Sequence, residues 1–122
     1  MAKTILIVDD SASLRQVVRI ALSSAGYEVV EACDGVDALS KLDGRKIHLI
    51  ISDVNMPNMD GIELVRQVKA RPDCKFTPVI MLTTESQADM KAQGQAAGAR
   101  AWVVKPFQPA QMLAAVAKLM PA

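Results

Sequence analysis

The sequence predicts a doubly wound α/β fold, a parallel sheet with helices on both faces, and three observations carry that prediction. Its short apolar runs are rich in β-branched residues, and most are continuous rather than alternating, as strands covered on both faces require. Helical spacing fills the gaps, so strand and helix alternate about five times. The chain has 122 residues, 51% of them hydrophobic. That suits one domain over residues 1–122 with a sizeable core, and no second, output domain is expected.

Taken in order, the first run is Ile5-Leu6-Ile7-Val8. Leu14, Val17, Val18, Ala21 and Leu22 then recur at helical spacing and stop at Gly26, a C-terminal cap. Tyr27-Glu28-Val29-Val30 is the second strand, and Val36, Leu39 and Leu42 mark a short helix ending at Gly44. After Leu49-Ile50-Ile51, Asp60 and Glu63 resemble a capping box opening a helix that carries Ile62, Leu64, Val65 and Val68. That helix must end before Pro72. Val79-Ile80-Met81-Leu82 is followed by a helix from Ser86 to Ala97, opened by Ser86 with Asp89, with Met90, Gly94 and Ala97 facing inward. Glycine inside a helix costs about 1 kcal/mol relative to alanine. Gly94 therefore either eases opening of this helix or permits a close approach to the sheet. The last pair is Ala101-Trp102-Val103-Val104 and a helix from Ala110 to Met120, with Pro109 in its first turn. Its stripe is Leu113, Val116, Ala117 and Met120, and Lys118 is its only charge, so a docking surface is expected there.

The formal net charge of +1 gives no electrostatic footprint for nucleic acid, and no Lys/Arg block suggests a membrane surface. No apolar run approaches spanning length or a signal-peptide core, which points to a cytoplasmic protein. Cys33 and Cys74 sit in no metal-like spacing and read as reduced thiols. The lone His48 lacks the partners a metal site needs.

Chemistry collects where the apolar runs stop. The first ends at Asp9-Asp10, the third at Ser52-Asp53, the fourth at Thr83-Thr84 and the fifth at Lys105. Any one of these alone reads as a turn former or cap. In an open parallel sheet, however, ligands bind outside the carboxyl ends of the strands, so three carboxylates, a hydroxyl and an ammonium should converge in one cleft. Carboxylates so gathered repel one another unless a cation joins them, and a hard oxygen-binding ion such as Mg²⁺ fits.

Asp9-Asp10, Asp53, Thr83 and Lys105-Pro106-Phe107, with the stretch from Asp53 to Gly61, resemble the signature set of bacterial response-regulator receivers of the chemotaxis type. The resemblance covers essentially the whole chain. It implies a flavodoxin-like (βα)5 fold with strand order 2-1-3-4-5. It implies Asp53 as phosphoacceptor, Asp10 as a direct Mg²⁺ ligand, Asp9 acting mainly through metal-bound water, and Asn55 lending its backbone carbonyl. Thr83 and Lys105 would each hold a phosphoryl oxygen, Trp102 would stand at the switch position, and Thr84, Glu85 and Asn55 would govern access and resetting. A sensor histidine kinase would be the donor, and the protein would catalyse only its own phosphorylation and dephosphorylation. A separate protein would read the face formed by the fourth helix, fifth strand and fifth helix, and the unphosphorylated form would be a monomer. The alternative is a phosphate sink or phosphorelay intermediate without a motor target. Gln87 and Ala88 stand where motor-binding relatives typically carry lysines, which weakens the motor reading.

Other classes fit less well. A haloacid-dehalogenase-type phosphatase needs a second Asp two residues after its nucleophile, and Asn55 cannot do that proton transfer. A flavodoxin needs a Ser/Thr/Gly-rich phosphate loop where this chain has Asp9-Asp10-Ser11-Ala12.

Overall fold

The structure is a computed structural model that describes residues 3–54, 56, 58–83 and 88–120, the side chains of 88–91 excepted. Its elements alternate without interruption: β1 (Thr4–Val8), α1 (Ala12–Ser24), β2 (Glu28–Ala32), α2 (Gly35–Leu42), β3 (Leu49–Asp53), α3 (Gly61–Ala70), β4 (Val79–Thr83), α4 (Ala88–Ala97), β5 (Ala101–Val104) and α5 (Pro109–Leu119). All neighbouring strands pair in parallel, in the order β2-β1-β3-β4-β5. Among the described residues no helix is long and apolar enough to cross a membrane.

Strand parity divides the core in two. Leu6, Val8, Ile50 and Met81 point to one face and pack with Ala38 and Leu42 of α2 and Ile62, Leu64, Val65 and Val68 of α3. Ile5, Ile7, Leu49, Ile51, Ile80 and Leu82 point to the other and pack with Val18 and Leu22 of α1 and Met112 and Val116 of α5. This is why the apolar runs are continuous: both faces are covered, and each fully buried aliphatic side chain contributes about 1.5–3 kcal/mol. The helices begin where side chains can cap them. Ser11 accepts from the Leu14 N–H, Asp34 from Asp37 and Asp60 from Glu63. Gly26 and Gly44 take positive φ just beyond α1 and α2.

Several expectations shift by a residue or a face. β2 runs two residues beyond Val30, and His48 precedes β3, its Nδ1 accepting from the Thr4 N–H at 3.0 Å. Val17 and Val36 are exposed, because the buried stripes are centred on Val18 with Leu22 and on Ala38 with Leu42. In α5 the buried line is Met112, Val116 and Met120, and Ala117 faces water. The start assigned to Ser86 lies outside the described residues.

Gly94 resolves towards close packing. It is buried, and a Cβ built on it would fall 2.3 Å from Cη2 of Trp102. Trp102 packs against the α2–α3 side of the core, so the absent side chain at 94 is the seat for the indole edge. The expected outcome for Gly94→Ala follows from two opposed effects. Helix propensity favours alanine by about 1 kcal/mol, whereas overpacking costs about 1–3 kcal/mol. Thermal melts should show net destabilisation, and Trp102 emission should move to longer wavelength as the ring is pushed towards water. A stabilised variant with unchanged emission would contradict the packing role.

Candidate functional site at the carboxyl edge of the sheet

The strand register brings the predicted residues together. Val8 pairs with Ser52, so the residues that follow, Asp9 and Asp53, stand at the same level on adjacent strands. Asp53 pairs with Leu82 and Thr83 with Val104, which steps Thr83 and Lys105 progressively outward along the same edge. Asp9, Asp53 and Thr83 are 1%, 7% and 4% exposed, while Asp10 is exposed and Lys105 half-buried. Asp9, Asp10 and Asp53 each offer a carboxylate oxygen, and these oxygens lie within 4.8 Å of one another. Such a hard-oxygen donor set suits Mg²⁺, and its Asp10 member is open to solvent.

Lys105 answers the carboxylates from above. Its Nζ lies 3.1 Å from Asp9 Oδ2 and 3.2 Å from Asp53 Oδ1. Asp53 Oδ1 also accepts from its neighbour's backbone, the Val54 N–H, at 2.9 Å. Asp9 Oδ1 accepts from the Ser11 N–H at 2.8 Å, and the Asp9 carbonyl accepts from Arg15 at 2.5 Å. The Lys105 N–H donates to the Thr83 carbonyl at 2.6 Å, tying the two strand ends that carry hydroxyl and ammonium.

Burial pushes the Asp53 carboxyl above its ordinary range and the Asp9 charge pushes it further, while Lys105 and the Val54 N–H pull it back without cancelling the rise. For Lys105, burial lowers the pKa, but Asp53 and Asp9 outweigh it and the ammonium is held more firmly than usual. The cleft is therefore short of positive charge at neutral pH.

Asn55, Thr84 and Glu85 lie outside the described residues. Trp102 is half-buried, its ring edge against Gly94 of α4. Residue-by-residue reading passed over Arg15, which reaches back from the first turn of α1 to the Asp9 carbonyl and whose Nε meets Glu31 at 3.1 Å. Its place in the first turn after the Asp pair was the available signal. Gly61 enters the sequence reading only as the end of the Asp53–Gly61 stretch; its structural role is close approach, since a Cβ there would lie 2.1 Å from the Asp53 carbonyl oxygen.

A consequence for stability follows from the raised Asp53 pKa. A carboxyl whose pKa is higher folded than unfolded weakens the fold above its folded pKa, and the penalty vanishes below its unfolded pKa. Without divalent cation, Asp53→Asn should raise the melting temperature at pH 7. The gain should shrink to nothing as pH falls below the usual carboxylate range. A variant less stable than wild type at pH 7 would contradict this balance.

Residues 5–117 match the sequence family of the response regulator receiver domain. The phosphate regulon transcriptional regulatory protein PhoB of Pseudomonas aeruginosa is 41% identical over 114 residues, which are 93% of this chain and 50% of that protein. The chain thus spans half the length of that relative. Chemotaxis protein CheY1 of Helicobacter pylori is 42% identical over 107 residues, 86% of each chain. The solved structure of the chemotaxis response regulator CheY4 of Vibrio cholerae has a TM-score of 0.93 and 46% identity, covering 98% of this chain and all of that one. With the family matched from the first strand into the last helix, and a solved chemotaxis regulator sharing the fold throughout, the chain belongs to the response regulator receiver domains of two-component signalling.

Proposed function

We propose that this chain is a chemotaxis-type receiver that accepts a phosphoryl group on Asp53 from a sensor histidine kinase, with Mg²⁺, and signals by phosphorylation-dependent binding of a separate protein. The observation that carries the reading is the placement of Asp53: nearly buried at the end of β3, with Lys105 at 3.2 Å and two further carboxylates alongside. A carboxylate oxygen of Asp53 attacks phosphorus as the N–P bond of phosphohistidine breaks, its electron pair returning to the imidazole nitrogen. Phosphoryl transfer asks the protein for in-line positioning and charge neutralisation. Lys105 supplies a fixed positive charge, Thr83 a hydroxyl for a phosphoryl oxygen, and Asp9 and Asp10 anchor the cation. Mg²⁺, which Asp9, Asp10 and Asp53 would hold, would supply the remaining charge neutralisation. Hydrolysis of the acyl phosphate resets the site, so the protein catalyses only its own phosphorylation and dephosphorylation, as a cytoplasmic monomer in the unphosphorylated state.

The output surface in this reading is the α4–β5–α5 face. A shallow cleft of about 600 Å³ there is lined by Trp102, Val104, Lys105, Gln111 and Ala115, among others. Because Lys105 both lines this cleft and touches Asp53, a phosphoryl group held by Lys105 is felt on the output side.

Two measurements test the proposal. Wild-type protein incubated with acetyl phosphate and Mg²⁺ should become labelled, and Asp53→Asn should take up no label; stoichiometric native-state labelling of that variant would overturn the assignment. Trp102 is the only tryptophan, so its fluorescence reports one site. Beryllofluoride with Mg²⁺ should change its emission or quencher accessibility. Indifference of both at saturation would remove Trp102 from the signalling path.

A further inference from the structure

Two described points after Asp53 are tied down, and one of them is bonded to a different strand–helix unit. At the first, the Gly61 N–H donates to the Val54 carbonyl at 2.8 Å. At the other, Asn58 adopts φ 68, left-handed backbone that asparagine tolerates better than other non-glycine residues. Its Nδ2 donates to Asp34 Oδ2 at 2.7 Å. The next residue, Met59, lies directly over Gly35, where an added Cβ would sit 2.7 Å from Met59 Cβ and Cγ. Asp34 is nearly buried, and its other oxygen accepts from the Asp37 N–H at 2.7 Å, capping α2.

Each residue could meet its local demand without the other. The α2 cap needs one side-chain oxygen, which serine supplies equally well, and the left-handed turn would suit glycine better than asparagine. Both residue types are accounted for by the bond between them. The hydrogen bonds from the Asp37 backbone and the Asn58 side chain also hold the Asp34 carboxyl below its ordinary pKa, so it stays a charged acceptor.

We infer that Asp34 and Asn58 are positioning residues: their hydrogen bond, with Met59 seated on Gly35, holds positions 58 and 59, between Asp53 and α3, against the start of α2 and so bears on the divalent-cation geometry of the acidic cleft. The inference rests on the proposed phosphoryl-accepting function. A loop that borders a cation site must hold its backbone to a fraction of an ångström, and a partner outside the ligand shell does this without touching the ion.

The test uses the full chain, with Mg²⁺ affinity measured by calorimetry and folding followed by thermal melts. Asn58→Gly satisfies the left-handed backbone and removes the tether. Asn58→Asp sets two carboxylates face to face. Through its charge alone Asn58→Asp would tighten Mg²⁺ binding, whereas loss of the tether weakens it, so the direction separates field from geometry. Both variants should fold and bind Mg²⁺ about tenfold more weakly. The double variant Asp34→Asn with Asn58→Asp exchanges donor and acceptor, keeps a capping oxygen at 34, and should return affinity to the wild-type range. Wild-type affinity in either single variant, tighter binding by Asn58→Asp, or no recovery in the double variant would overturn the tether while leaving the proposed function standing. A wild-type chain that binds no Mg²⁺ would overturn both.

Discussion

The bridge from Lys105 to Asp9 and Asp53 is the contact on which the site depends. A parallel sheet stacks its strand ends at one edge, and here that places two nearly buried carboxylates on neighbouring strands with a third beside them. One ammonium, 3.1 Å and 3.2 Å from the two, offsets part of that repulsion. It does not offset all of it, which is why the Asp53 carboxyl remains shifted upward. A site so arranged is matched to something that brings positive charge to the carboxylates and negative charge to the lysine, and a divalent cation with a phosphoryl group does both.

Under the proposed function, the same edge would carry events at Asp53 to the surface. Lys105 follows β5, and its backbone N–H is bonded to the Thr83 carbonyl at the end of β4. Trp102 lies on β5 and fills the notch left by Gly94 in α4. Among the described side chains of α4, at positions 92–97, the apolar ones are alanines, so the indole is an anchor for that part of the helix on the sheet. In the proposed reading, a face whose helix rests against one aromatic edge would be altered by displacing that edge, with little change in the rest of the core. The β3–α3 loop reaches the opposite way, through Asn58 and Met59 to the start of α2. Asp53 is thus linked to elements on both sides of its strand.

Much of this could be read from the sequence for identifiable reasons. Continuous β-branched runs at Ile5–Val8 and Val79–Leu82 are read easily because burial on both faces leaves no competing pattern. Asp9, Asp10, Asp53, Thr83 and Lys105 could be grouped because a single rule about strand ends applied to all five. Helix faces were harder. Val17 and Val36 are apolar yet exposed, since in short helices a stripe can be phased two ways and only packing decides between Val17 and Val18. Gly94 left both readings open, because propensity describes an isolated helix whereas its packing depends on Trp102, eight positions further on. The Asp34–Asn58 bond depends on a contact between separate elements that no local pattern marks, and Arg15 offered only its place in the first turn after the Asp pair.

The claim at the centre of the account is that folding leaves Asp53 with unmet demand for positive charge that a divalent cation satisfies. Carbon-13 titration of the Asp53 carboxyl, with and without saturating Mg²⁺, measures that demand at the group itself. The account predicts a midpoint above the ordinary carboxylate range in metal-free protein, falling well below it when Mg²⁺ is present. An ordinary midpoint that Mg²⁺ leaves unmoved would contradict it.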